Sequence, residues 1–153
     1  MQARMPNPAK LIPEASKPTQ SMWAAAYAAG IPPATLGLVH MRASQINSCA
    51  VCLDSAAKHA RKANESDERM FTLSSWRDSP FFTDAERAAL ALTESITRIA
   101  DQEDPVPDAV WNEAAKHYPE RQLAALVVAI ATVNVWNRMN VATRQVAGTV
   151  SWE

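Results

Sequence analysis

The chain has 153 residues, 48 % of them hydrophobic and 20 % charged, which fits one packed domain and argues against wholesale disorder. Its formal net charge is -1 with no block of like charges, so a nucleic-acid binder, which usually carries a basic excess, is not expected. Glycine occurs only at Gly30, Gly37 and Gly148, few for the turns of a β-rich or dinucleotide-binding domain, and there is no glycine-rich phosphate loop.

Residues 1–19, with Pro6, Pro8, Pro13 and Pro18, read as an extended arm, either wrapped on a neighbour through Leu11 and Ile12 or disordered. A helix is predicted from near Ser21 to Ala29, stopped by Gly30 and the Pro32-Pro33 pair. A second runs from Ala34 to Ile46, with Leu36, Val39 and Ala43 on one face. Asn47 and Ser48 are suitable N-caps for a third, Cys49 to Ala63, which Asn64 can close. A short helix follows near Asp67 to Trp76. Thr83 and Glu86 form a capping box that opens a helix to Ile99, whose Ala88, Leu92, Ile96 and Ile99 recur at helical spacing. Asp101 to Pro107 is an acidic loop, Asp108 to His117 a further helix, and Pro119 starts the longest one, to Gln145. The longest apolar run, Leu123 to Val133, is shorter than the roughly 20 residues a bilayer span needs. No segment shows the period-two alternation of a strand. An all-α fold is expected, organised as the arm 1–19, a helical domain 20–147 and a tail 148–153.

The N-terminal stretch MQARMPNPAK lacks an apolar export segment, so a cytoplasmic protein is expected. In that reducing compartment a close cysteine pair is more often catalytic or metal-binding than structural. Cys49 and Cys52 form such a pair at a predicted helix start, and residues three apart share a helix face, so their sulfurs can meet. Free N–H groups and the positive end of the helix dipole favour a thiolate there. One cysteine can then attack and the other resolve the product, and the pair is expected to close into an intrachain disulfide. Half of a zinc site and two inert buried thiols are the competing readings. A second CxxC or a His pair at ligand spacing, which zinc would want, is missing.

The run Leu38-Val-His-Met-Arg-Ala-Ser-Gln-Ile-Asn-Ser-Cys-Ala-Val-Cys-Leu-Asp54 resembles the core of the alkylhydroperoxidase D-like, or carboxymuconolactone decarboxylase, family. The resemblance continues through Asp67-Glu-Arg69, Trp76-Arg77, Phe82 to Leu90 and Asn134-Val-Trp-Asn-Arg138, and covers roughly residues 20–147. It implies an all-α subunit with the CxxC at the start of a central helix, assembled as a homo-trimer or hexamer. It also implies a peroxidase cycle in which Cys52 attacks a hydroperoxide, Cys49 resolves, and a dithiol donor restores the pair. No metal, flavin or other cofactor is implied.

Two relay groups usual in the family's redox members are absent. A glutamate twelve residues before the first cysteine is replaced by Gly37, and a histidine four residues after the second by Ala56. The usual glycine before the first cysteine is Ser48. Peroxidase activity is therefore expected to be weakened or altered. The alternative is a non-redox enzyme or small-molecule-binding protein of the same family, using a pocket enlarged at Gly37 and Ala56. Arg42 is a further candidate to line that pocket. For Arg42, Ser44, Gln45 and Asn47 the favoured roles are capping and interhelix hydrogen bonding. Asn134, Asn137, Arg138 and Asn140 are expected in buried polar networks or subunit contacts. Trp23, Trp76, Trp111 and Trp136 are expected to fill core or interface space. His40, His59 and His117 offer no convincing substitute for the missing base.

Overall fold

Three helices in this chain begin on a proline. In the computed structural model, which describes residues 1–149, Asn7 accepts a hydrogen bond from the Ala9 N–H and caps a single turn, α1 (Pro8–Leu11). Pro13 occupies the first position of α2 (Pro13–Ala28). A proline there sacrifices no hydrogen bond, because the first N–H groups of a helix have no intrahelical partner. Pro18 lies inside α2, where its ring removes one N–H from the ladder. The extended reading of residues 1–19 is thus corrected: from Pro8 onward most of that stretch is helical.

The remaining helices are α3 (Pro33–Ile46), α4 (Ala50–Lys62), α5 (Asp67–Thr72), α6 (Asp84–Thr97), α7 (Asp108–His117) and α8 (Glu120–Ala142). A tighter 3₁₀ stretch, Leu73–Asp78, continues α5 through a kink at Ser75. The fold is all-α, with no strand among the described residues. The predicted capping box is present in full: Thr83 Oγ1 accepts from the Glu86 N–H, and Glu86 Oε2 accepts from the Thr83 N–H at 2.9 Å. Of the expected tail 148–153, residues 150–153 lie outside the described range.

Helix α8 is the axis of the bundle, packing against α2, α3 and α6, while α3 also packs on α4 and α6. Its Leu126, Ala129, Ile130 and Val133 are fully buried, with Leu36 and Val39 of α3 and Leu92 of α6. By length and composition α8 is apolar enough to cross a membrane, at mean hydropathy 1.2, but it serves here as the central core helix. A second apolar cluster forms on the other side of α3, from Leu38, Met41, Ala56, Met70, Leu73, Trp76, Phe82 and Leu90. Of these tryptophans, Trp76 is buried, Trp23 and Trp136 pack with tilted rings 5.5 Å between centroids, and Trp111 is exposed.

Between the two clusters sits a buried charge cage that sequence reading misses. Glu94 of α6 accepts hydrogen bonds from Arg42 Nε at 2.7 Å, Trp76 Nε1 at 2.9 Å and Arg77 at 2.8 Å. Burial pushes this carboxyl up, yet the bonds from Trp76, Arg77 and Arg42 outweigh it and hold Glu94 below the usual carboxylate value. Arg42 also donates to Gln45 Oε1 within α3 at 3.0 Å, while its bond to Glu94 of α6 is the interhelix hydrogen bonding expected of it.

Candidate active site at the cysteine pair

The chain turns between α3 and α4 over three residues, and that turn delivers the cysteines. Ser48 adopts φ 54°, a left-handed conformation that glycine accepts without penalty and serine does not. The Cys49 N–H then donates to the Ser44 carbonyl at 3.0 Å. Cys49 is itself the N-cap of α4, with no side-chain capping bond, so the predicted capping by Asn47 or Ser48 is corrected. Asn47 instead spends its amide on α8, donating to Asn134 Oδ1 and Asn137 Oδ1, both at 2.9 Å. At the other end Asn64 closes the helix as expected, in the left-handed region at φ 57°.

Cys52 falls three residues into α4, above Cys49, and the two sulfurs are bonded to each other. Both are buried, Cys49 to 1 % and Cys52 to 3 % exposure, which limits the thiol chemistry to what can reach the sulfurs through an opening beside them. That opening is a cavity of about 260 Å³ lined by Ser48, Cys49, Ala50 and Val51 on one side and by Asn140, Arg144 and Gln145 on the other. The first turn of α4 carries no acidic side chain, so nothing there opposes a thiolate favoured by the helix dipole.

From α8 an asparagine stripe faces the turn. Asn137 donates to Ser44 Oγ at 3.0 Å, Asn134 to Thr97 Oγ1 at 3.2 Å, and Arg138 donates to Asn134 Oδ1 at 2.7 Å. The buried-network reading holds for the three asparagines, whereas Arg138 is exposed. What sequence did not reveal is the end of the stripe: Asn140 Nδ2 donates to Cys52 Sγ at 3.3 Å. The signal was the recurrence of Asn134, Asn137 and Asn140 at steps of three, which puts them on one face of a core helix. Buried polar groups there must find partners.

The other candidates lie elsewhere. Gly37 is exposed on α3, and a Cβ added to it would meet nothing within 4 Å, so neither close packing nor an enclosed pocket accounts for this glycine. Ala56 is buried in the apolar cluster with Leu38 and Met41, and Arg42 is held by Glu94. None of the three lines the cavity beside the cysteines. His40, half-buried against Trp23 and Trp136, is pushed down to about 4, by burial first and by nearby His59 second. It is thereby neutral and a weak base near neutral pH. His59 is tied to its own helix, Nδ1 donating to the Ser55 carbonyl at 2.8 Å, and His117 sits 3.3 Å from Glu113 at the end of α7. Among the described residues no three His, Cys, Asp or Glu side chains gather as a metal site would require.

The sequence profile of the carboxymuconolactone decarboxylase family matches residues 13–95. An uncharacterized protein of Bacillus subtilis, YdfG, is 35 % identical over 133 residues, covering 87 % of this chain and 89 % of its own. A solved structure from Agrobacterium tumefaciens, of unknown function and proposed as the antioxidant defence protein AhpD, superposes with TM-score 0.88 at 32 % identity. That match covers 97 % of this chain and all of the other. The apo debrominase Bmp8 shares the fold at TM-score 0.74 and 21 % identity, over 90 % of this chain and 73 % of its own. With the cysteine pair at the head of a central helix and these matches across most of its length, the chain belongs to the carboxymuconolactone decarboxylase family, alkylhydroperoxidase D-like proteins included.

Proposed function

We propose that the protein is a thiol-dependent oxidoreductase that reduces hydroperoxides through Cys49 and Cys52. The observation that carries this reading is the bonded sulfur pair at the open N-terminal end of α4, beside a cavity and an amide donor. In the cycle the Cys52 thiolate attacks one peroxide oxygen and the O–O bond breaks. The alkoxide leaves as the alcohol after taking up a proton, and Cys52 becomes a sulfenic acid. The Cys49 thiolate then attacks Cys52 Sγ, hydroxide leaves as water, and the disulfide forms. An external dithiol reduces that disulfide and is itself oxidised. A cytoplasmic setting, where such donors are plentiful, suits this chemistry.

Turnover should be slow. With Gly37 and Ala56 in the relay positions, no carboxylate or histidine among the described residues lines the cavity beside the cysteines, and a positioned acid or base typically contributes about 10²–10⁴-fold. Steady-state consumption of an alkyl hydroperoxide driven by dithiothreitol tests the proposal. A rate that saturates with protein-bound disulfide reduction supports it; consumption no faster than dithiothreitol alone overturns it.

We also propose assembly as a homo-oligomer built on trimers. Leu11, Met22 and Tyr27 of the first two helices and Ile12 between them are exposed, an apolar surface that a second copy would cover. The beginning of the arm is already engaged by its own chain, with the Arg4 N–H on the Thr143 carbonyl at 2.9 Å and Gln145 donating to the Met5 carbonyl at 3.0 Å. Light scattering should return three or six times the 16.7 kDa subunit mass; a monomer at micromolar concentration would contradict assembly, and a dimer its trimeric basis.

A further inference from the structure

The amide of Asn140 is oriented by a chain of hydrogen bonds whose polarity is fixed at its far end. The Ala9 backbone N–H can only donate, and it donates to Asn7 Oδ1 at 2.9 Å. That leaves Asn7 Nδ2 to donate to Asn140 Oδ1 at 2.8 Å, across 133 residues of sequence. Asn140 must therefore turn its Nδ2 toward Cys52 Sγ, at 3.3 Å. Asn7 and Asn140 are both buried, with 9 % and 4 % exposure, so water does not readily substitute for either link. The segment holding Asn7 is secured by backbone and side-chain bonds from Arg4 to Thr143 and Ala142.

We propose that Asn140 is a catalytic residue that stabilises the Cys52 thiolate by direct N–H donation, and that Asn7 is the residue that positions it. This rests on the thiol reading above and deepens it. A hydrogen bond to the charged form of a group favours that form, and the effect grows where water is excluded. The Asn140 amide is thus a neutral donor at the sulfur. It can lower the energy of the thiolate, but it cannot carry a proton away. The N-terminal segment, remote in sequence, becomes part of the active site through one side chain.

The charged groups on neighbouring elements are few. Arg144, after α8, lines the same cavity; Asp54 of α4 is paired with Lys58 at 2.7 Å; Arg42 of α3 is paired with Glu94. None is altered by the substitutions below, so their influence is common to all curves.

The test is the titration of Cys52 alone, read by ultraviolet thiolate absorbance in a Cys49→Ser background, with no peroxide present. Its outcome is therefore independent of whether the protein turns over hydroperoxide. Adding Asn140→Ala should raise the Cys52 thiol pKa by about one pH unit, as expected for loss of a hydrogen bond to a charged group. Asn140→Asp, which keeps the shape and turns an acceptor toward the sulfur, should raise it further. Asn7→Ala should raise it by less, because it frees the Asn140 amide to rotate. A purely structural role would lower the melting temperature and leave these curves in place. An unchanged curve for Asn140→Asp overturns the role of Asn140; an unchanged curve for Asn7→Ala overturns that of Asn7.

Discussion

Replacing Cys52 with serine is expected to abolish dithiol-dependent hydroperoxide turnover, whereas replacing Cys49 should allow one event and then stall. A serine hydroxyl does not ionise near neutral pH and forms no stable counterpart of a sulfenic acid, so Cys52→Ser removes the attacking atom and its oxidised product together. In Cys49→Ser the Cys52 thiolate keeps its place in the first turn of α4 and its contact with Asn140. It can attack peroxide once, but no neighbouring thiol is left to expel water from the sulfenic acid. Trapping with dimedone followed by peptide mass spectrometry should find the adduct on Cys52 of the Cys49→Ser protein. Cys49 lines the cavity and Cys52 lies behind it, so the position of the adduct decides which sulfur attacks. An adduct on Cys49 in the Cys52→Ser protein, with none in the reciprocal variant, would exchange the two roles.

The largest effect on stability is expected at Glu94. Its carboxylate partners Arg42 at 2.7 Å, and the two side chains are only 10 % and 11 % exposed. Glu94→Ala leaves the Arg42 guanidinium and the Trp76 N–H without their acceptor, and breaking a buried pair in this way costs about 3–5 kcal/mol. The bond to Arg77 adds little to that figure, since Arg77 is largely exposed. Urea unfolding at neutral pH measures the loss directly; a change below about 1 kcal/mol would mean that the cage is not a stabilising unit. The acid dependence has a definite sign. The folded carboxyl is held below its ordinary value of 4.5, so its contribution is present above that value and is lost as pH falls through the folded one. Wild-type stability should therefore fall below about pH 4.5, and Glu94→Ala should show a shallower fall over the same window.

Much of the helical framework was legible because its signals are local. The Thr83–Glu86 box, the Gly30 and proline stop after α2, and the left-handed Asn64 each act within a turn of chain. The N-terminal arm was misread for the same reason: four prolines were weighed as breakers, although Pro8 and Pro13 stand at first helical positions, where proline is favoured. The cap of α4 went to Cys49 because Ser48 flips into the left-handed region, a backbone choice that the residue type does not announce. Long-range partners were the least legible. That Glu94 would collect Arg42, Trp76 and Arg77, or that Asn7 would reach Asn140, depends on how α3, α6 and α8 pack. The cysteine pair was legible as a motif; the amide at its sulfur and the exposure of Gly37 were not.

A single-turnover titration tests the central claim most directly. The reduced wild-type protein is mixed with one equivalent of an alkyl hydroperoxide, without any added dithiol, and free thiols, intact mass and alcohol product are followed together. The account predicts that two thiols disappear for each alcohol formed, with the loss of two hydrogens inside one chain and Cys49 joined to Cys52 in the peptide map. Persistence of both thiols beside unreacted peroxide, or oxidation only to disulfides between chains, would contradict it.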